Sequence, residues 1–171
     1  KTYFSVDSSI TADAISSGDG GKVVLWSDDA TYFKGSISAK AGSSKGDGGF
    51  VEVSSKNYLD FDGSVDVASS NGTAGTVLLD PASITILSGV DSNSDGFTAA
   101  SDVLELFAND SGDSTVLNPA ASGSFDGISA GSTIILQATG DITVSSDFVL
   151  ATATGTANNS LVMQAGENIN V

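Results

Sequence analysis

The chain has 171 residues and a formal net charge of −15, and it contains 20 glycines but neither histidine nor cysteine; all six of its basic residues are lysine. Without histidine, cysteine and arginine, a Ser-His-Asp triad, a cysteine nucleophile, an ordinary zinc site and a bidentate arginine clamp are excluded. The negative charge repels nucleic acid and anionic membranes, so we expect neither nucleic-acid binding nor membrane insertion.

The first half of the chain contains an internal repeat. A Gly-Asp-Gly-Gly sequence at 18–21 recurs at 46–49, and a weaker Gly-Thr-Ala-Gly follows at 72–75. In this alignment the apolar positions after each turn form two rows: Val23, Val51 and Val77, and Leu25, Val53 and Leu79. Such regular self-similarity is typical of a fold in which equivalent segments stack on one another.

The repeat continues in both directions along the chain. Phe33 aligns with Phe61 and Ile37 with Val65, while the segment 133–144 matches 160–171 at a separation of 27 residues. Apolar and polar residues alternate within these segments, which is the pattern of strands with one buried side. Glycine, serine, asparagine and aspartate cluster between them, as expected of turns.

These patterns predict an all-β fold, a parallel β-helix or β-solenoid of about six coils, formed by residues 1–171 as one segment. Residues 87–130 break the rhythm, and we expect a decorated coil there, with a short helix over 98–107. The chain begins at Lys1 without an initiator methionine or a signal peptide and ends at Val171 in a strand-like pattern. We therefore expect it to be part of a longer protein.

Residues 10–90 resemble the filamentous-haemagglutinin-like exoproteins of two-partner secretion, which are large bacterial adhesins. The shared pattern lies in the segments 18–27, 33–39, 46–54, 77–81 and 84–86. The resemblance implies a right-handed parallel β-helix, export through an outer-membrane secretion partner, and display as a secreted protein at the bacterial cell surface. The amino-terminal secretion domain of such proteins is not recognisable, so the resemblance is to the shaft.

One loop has the composition of a calcium site. Asp91, Asn93 and Asp95 occupy its positions 1, 3 and 5, Gly96 permits a sharp turn, and Asp102 is at position 12. Oxygen ligands at this spacing are what calcium requires, although position 12 is aspartate instead of the longer glutamate. The alternative is a plain polar turn. Calcium is the one cofactor that the sequence suggests.

Other polar and aromatic residues are expected to be structural. The only tryptophan, Trp26, faces outward in the repeat alignment, where it could stack on a sugar or a protein partner. We expect instead that a neighbouring loop or a capping element covers it. Lys34 lies over Asp62 one rung away, which predicts a modest cross-strand pair. Asp60, Asp62 and Asp66 form an outward row that we interpret as a solvated acidic face and not as a catalytic carboxylate pair.

Three functions are compatible with these observations. The first is a non-enzymatic structural or binding segment of an adhesin, contacting a glycan or protein on a host or neighbouring cell. The second is a carbohydrate-active β-helix enzyme, a polysaccharide hydrolase or lyase, because fold alone does not decide function. The third is a self-assembling extracellular filament subunit that stacks on copies of itself through open strand edges. The first is the prediction, with no catalytic residues.

Overall fold

The computed structural model describes residues 1–86, 115–117, 125, 127–145 and 159–171, and of residues 115–117 the backbone alone. The described part is all-β, without a helix, and its strands form a parallel β-solenoid. The strands are β1 (Thr2–Phe4), β2 (Ser9–Thr11), β3 (Lys22–Leu25), β4 (Ala30–Phe33), β5 (Ser36–Ser38), β6 (Phe50–Ser54), β7 (Tyr58–Phe61), β8 (Ser64–Asp66), β9 (Thr76–Asp80), β10 (Ile84–Ile86), β11 (Thr115–Leu117), β12 (Thr133–Ala138), β13 (Ile142–Val144), β14 (Ser160–Ala165) and β15 (Ile169–Asn170).

Successive coils contribute strands to four parallel sheets. The largest sheet has five strands in the order β14-β12-β9-β6-β3. The others have the orders β1-β4-β7, β2-β5-β8 and β11-β10-β13-β15. Every pairing is parallel and in register with the repeat, so that equivalent residues of successive coils lie side by side.

The register predicted from the repeats is confirmed. Val51 pairs with both Val23 and Val77, and the row Leu25, Val53 and Leu79 follows in the same way. Phe33 pairs with Phe61 and Ile37 with Val65, while Ile134 pairs with Leu161. These side chains all point into one apolar interior that runs along the solenoid.

The number of coils is smaller than predicted: the solenoid has about four turns instead of six. Neighbouring coils are offset by 28, 26 or 27 residues in most of the chain. Between β9 and β12, however, Thr76 pairs directly with Thr133, and Ala82 accepts a hydrogen bond from Thr139, 57 residues away. Twice the usual length of chain thus separates neighbouring strands of the five-stranded sheet at this point. The solenoid therefore has fewer coils than a 27-residue repeat throughout the chain would give.

The stretch of chain between β9 and β12, which we call the long coil, includes residues 87–130, where the sequence predicted a decorated coil. Strand β11 pairs with β10 on the side opposite β13, so β11 is an edge strand of the four-stranded sheet. Among the described residues, the five-stranded sheet has no strand from this part of the chain. The chain then rejoins the regular path at Ile128, which bridges to Val65. The short helix expected over 98–107 lies outside the described residues. No helix in the described part of the chain is long and apolar enough to cross a membrane.

Phenylalanines form a stack inside the solenoid. The rings of Phe4 and Phe33 are 5.5 Å apart between centroids, and those of Phe33 and Phe61 are 5.2 Å apart. Because the coils are in register, identical side chains repeat at nearly the spacing of neighbouring strands, which suits offset stacking. Phe33 and Phe61 are completely buried.

Aspartates connect successive turns on the outside. Asp19 accepts a hydrogen bond from the backbone amide of Asp47, and Asp47 accepts one from the amide of Thr73. Asp141 does the same for Asn168. An aspartate in each Gly-Asp-Gly-Gly turn thus satisfies a backbone donor of the next coil, which links the repeated motif to the stacking of turns.

Candidate functional site

The residues proposed as calcium ligands cannot be compared with the structure. Asp91, Asn93, Asp95 and Asp102 all lie outside the described residues. Among the residues that are described, no group of three or more acidic side chains is arranged to hold a metal ion. Calcium binding by the loop stays a prediction.

All three tyrosines of the chain lie on one outward surface. On β4 and β7, the inward positions belong to Phe33, Leu59 and Phe61, so Tyr32 and Tyr58 point the other way. Their rings are 5.9 Å apart, and Tyr3 packs against them from β1. We call Tyr3, Ala30, Tyr32 and Tyr58 the tyrosine cluster. Tyr32 and Tyr58 are buried although they face away from the interior, so this side of the solenoid is covered.

A buried ion pair lies beside the tyrosine cluster. Lys34 Nζ is 2.6 Å from Asp60 Oδ2 and 3.5 Å from Asp62 Oδ2. The predicted pair of Lys34 with Asp62 is therefore present, but the shorter pair is with Asp60. The Asp60 side chain is only 2% exposed, whereas that of Asp62 is 61% exposed. The interpretation of Asp60 as part of a solvated face is wrong, because the alternation rule identifies the outward side but not what covers it.

The five-stranded sheet presents a second outward surface, and most of its side chains are exposed or partly exposed. We call its outward side chains the exposed face. Strand pairing places one residue from each strand in a central row: Val24, Glu52, Leu78, Ile135 and Val162. Four of these five side chains are apolar, and Val24 is 50% and Val162 38% exposed. A sheet that is apolar on both sides is normally covered on both.

Polar and aromatic residues flank the central row. On one side, Phe50 lies beneath Lys22, whose Nζ is 4.9 Å from the ring centroid. Phe50 pairs with Thr76, and Thr76 pairs with Thr133. On the other side Gln137 pairs with Gln164. The surface therefore combines an apolar centre with hydrogen-bonding edges, which is the composition of a binding surface.

Trp26 belongs to the exposed face and is not covered as expected. Its side chain follows β3, the strand at one edge of the five-stranded sheet, and it is 49% exposed. At this edge Trp26 has a described strand on one side only. The prediction of a covering loop was wrong, because a single alignment gives the direction of a side chain and not the position of distant loops.

Two carboxylates interrupt the apolar surface. Glu52 stands in the central row, and Asp80 lies diagonally from it, in register with Ser54. Partial burial raises the pKa of Asp80, and the negative charge of Glu52 raises it further. No lysine of the described residues forms an ion pair with either carboxylate. This part of the surface is thus an unneutralised site of negative charge beside apolar side chains.

Asp80→Asn is expected to stabilise the protein at neutral pH, because ionised Asp80 is disfavoured in the folded state. The pKa of Asp80 in the folded protein lies above its ordinary value of 3.8 in the unfolded chain. The free energy of unfolding therefore decreases as the pH rises from about 3.8 through the folded-state pKa. The variant should therefore unfold at higher urea concentration than the wild type at pH 7. The two curves should coincide below about pH 3.5.

Asp13→Asn provides the matched control with the opposite sign. Burial alone would raise the pKa of Asp13, but hydrogen bonds from Ser38 Oγ and the amide of Lys40, with the charge of Lys40, lower it. Stability gained from this carboxylate is present above its ordinary pKa and is lost as the pH falls through the lowered one. Asp13→Asn should therefore be destabilising at pH 7. If both variants changed the stability at pH 7 in the same direction, the opposite pKa shifts assigned to Asp80 and Asp13 would be wrong.

A comparison of the chain with protein-family models found no match, and a comparison with curated protein sequences found none either.

Proposed function

We propose that this chain is a non-enzymatic segment of a secreted adhesin of the filamentous-haemagglutinin type, serving as stalk and binding surface at the bacterial cell surface. The observation that carries the proposal is the single apolar interior that passes through successive coils in register. Each coil buries its apolar side by stacking on the next, so the architecture extends by adding coils and produces a rod.

The distribution of charge and apolar surface supports the same proposal. A chain with a net charge of −15 is kept from nonspecific association by its own repulsion. Against this background the exposed face is unusual, because it keeps apolar side chains such as Val24 and Trp26 in solvent. Contiguous exposed apolar surface is typical of interaction sites. A glycan or protein of a host or neighbouring cell is the proposed partner.

Adhesion of coated beads tests this proposal. Beads carrying the purified protein should attach to cultured epithelial cells or to bacterial cells more often than beads carrying serum albumin. Soluble protein added in excess should compete with the attachment. Attachment equal to that of the albumin beads on every cell type would contradict a binding role.

A carbohydrate-active enzyme is the second candidate, and one observation favours it. Glu52 and Asp80 form a carboxylate pair on an open sheet surface, with the pKa of Asp80 raised and Trp26 exposed on the same surface. A carboxylate pair with one raised pKa is one of the features that glycoside hydrolysis uses. We expect no turnover of polygalacturonate or xylan. Turnover that is abolished by Glu52→Gln or Asp80→Asn would overturn the non-enzymatic proposal.

A further inference from the structure

We propose that the exposed face docks an amphipathic helix of a protein partner, with an arginine of that helix held between Glu52 and Asp80. This inference deepens the proposed binding function and rests on it.

The central row fixes the length of the contact. It extends across five strands from Val24 to Val162, with Leu78 and Ile135 on adjacent strands near its middle. Neighbouring strands are about 4.8 Å apart, so the row is roughly 19 Å long. A helix of about 13 residues has that length. One such helix is therefore long enough to cover the apolar side chains of the row.

The surface offers side chains and no free backbone groups. Within the sheet, the backbone donors and acceptors of β6, β9 and β12 are engaged with strands on both sides. A partner segment that lies on this surface must therefore satisfy its own backbone hydrogen bonds. A helix does so internally, and helices packed on sheets are one of the standard layer arrangements. An extended strand would instead need the edge of a sheet.

The carboxylates select a cationic occupant. Covering Glu52 and Asp80 with a purely apolar helix would bury two negative charges without compensation, which is strongly unfavourable. Placing a cation between them removes that cost. In the free protein, burial raises the pKa of Asp80 and the negative charge of Glu52 raises it further, so both act against the ionised carboxylate. Arginine suits this position better than lysine because its planar guanidinium donates to two carboxylates in a fixed geometry.

A second copy of this chain does not fit the same requirements. Each chain carries a net charge of −15, so packing two exposed faces together would bring two strongly negative chains into contact. The chain also contains no arginine to place between the carboxylates of a second copy. Like charges facing each other across an interface are unfavourable, so we assign the surface to a different protein.

The proposal is tested by titrating the protein with a designed helical peptide that has leucines on one side and a single arginine in its first turns. Binding is measured by calorimetry for the wild type, Glu52→Gln and Leu78→Ser. We expect saturable binding to the wild type, weakened at least about tenfold by Glu52→Gln and by a similar factor by Leu78→Ser. Thermal unfolding of each variant confirms that the fold is kept.

Matched controls separate this surface from general charge and hydrophobicity. Asp62→Asn removes an exposed carboxylate from another side of the solenoid, and Ile15→Ser removes an apolar side chain that is 95% exposed and outside the sheet. Neither change should alter binding. A peptide with glutamine in place of the arginine should bind more weakly to the wild type and should no longer distinguish Glu52→Gln.

Three results would overturn the proposal: no binding of the arginine peptide, binding that is unaffected by both face variants, or binding of a neutral linear oligosaccharide such as cellohexaose to the same surface in its place. The oligosaccharide result would assign the face to a glycan. Failure of the peptide with successful bead adhesion would leave the proposed function standing, with another surface responsible. Failure of bead adhesion alone would reject the adhesin proposal.

Discussion

Replacing Phe33 by alanine is expected to lower the free energy of unfolding by about 3–5 kcal/mol, the range for large aromatic side chains removed from a packed core. Phe33 lies between Phe4 and Phe61 in the interior stack and has no exposed surface. Its removal leaves a cavity with a stacked ring on each side. The backbone hydrogen bonds of β4 with β1 and β7 fix the spacing of the neighbouring coils. The coils therefore cannot move together to close the cavity completely. Urea unfolding followed by circular dichroism measures the loss.

Phe50→Ala is the matched control for this prediction. Phe50 is the same residue type on a strand of the same solenoid, but it faces outward and contacts Lys22. Phe50 is partly buried, so its loss should cost about 1–2 kcal/mol, less than the loss of a fully buried ring. If the two substitutions were equally destabilising, the assignment of Phe33 to the interior and of Phe50 to the surface would be wrong.

Gly48→Ala is expected to destabilise the protein by about 3 kcal/mol or more, through overlap with the backbone of the next coil. A Cβ atom at this position would collide with the carbonyl oxygen of Val67 and with the amide nitrogen of Gly75. Both atoms are fixed, because the Gly75 amide donates to the Val67 carbonyl at 2.8 Å. Relief of the overlap would require separation of two coils along the turn.

Gly140→Ala is the control for the effect of backbone restriction alone. The added Cβ would lie 3.2 Å from the carbonyl oxygen of Ala82, a contact that a small shift can relieve. We expect a cost well below that of Gly48→Ala. Thermal unfolding of both variants checks the difference. A midpoint for Gly48→Ala that equals the wild-type midpoint would show that the turns are not packed as closely as described.

The coil-to-coil register could be predicted from the sequence because it depends on local and periodic information. Val23, Val51 and Val77 occupy equivalent positions after equivalent turns, and burial of one side of each strand allows one register only. A slip by a single residue would have moved Val51 to the surface and Glu52 to the interior. The Gly-Asp-Gly-Gly turns were recognisable for a similar reason, since close backbone contact between coils excludes side chains at Gly48.

The number of coils and the burial of the outward side chains depend on contacts between distant parts of the chain. The periodic pattern of the sequence does not show these contacts. Nothing in the alternation of β9 and β12 indicates that Thr76 and Thr133 are neighbours across the long coil. Burial of Asp60 and exposure of Trp26 were both predicted incorrectly, because each depends on which parts of the chain cover a surface. An outward aspartate beside an outward lysine, as with Asp60 and Lys34, was the available signal for a buried pair.

The candidate binding surface was only partly visible in the sequence. Val24 and Leu78 could be identified as outward apolar residues from the repeat alignment. Ile135 and Val162 could be placed in the same row only once the pairing of β9 with β12 was known. That pairing joins residues separated by twice the usual repeat length. The diagonal relation of Glu52 and Asp80 follows from the predicted register of Val53 with Leu79, but which lysines pair with which carboxylates became apparent only in the structure.

Disulfide cross-linking of Leu78 with Ile135 tests whether β9 and β12 are adjacent, because the continuous exposed face depends on these two residues being neighbours. The chain has no native cysteine, so the double variant Leu78→Cys/Ile135→Cys contains a single possible pair. Neighbouring strands about 4.8 Å apart are within the range of Cα separations that a disulfide accepts. Glu52→Cys/Leu78→Cys, on paired strands of ordinary offset, is the positive control.

We predict that mild oxidation cross-links both pairs to a similar extent, as measured by mass spectrometry of the digested protein. Val24→Cys/Leu78→Cys, whose strands β3 and β9 have β6 between them, should remain reduced within each molecule. Cross-linking of the positive control without cross-linking of Leu78→Cys/Ile135→Cys would contradict the account, since a further coil would then separate β9 from β12 and divide the exposed face.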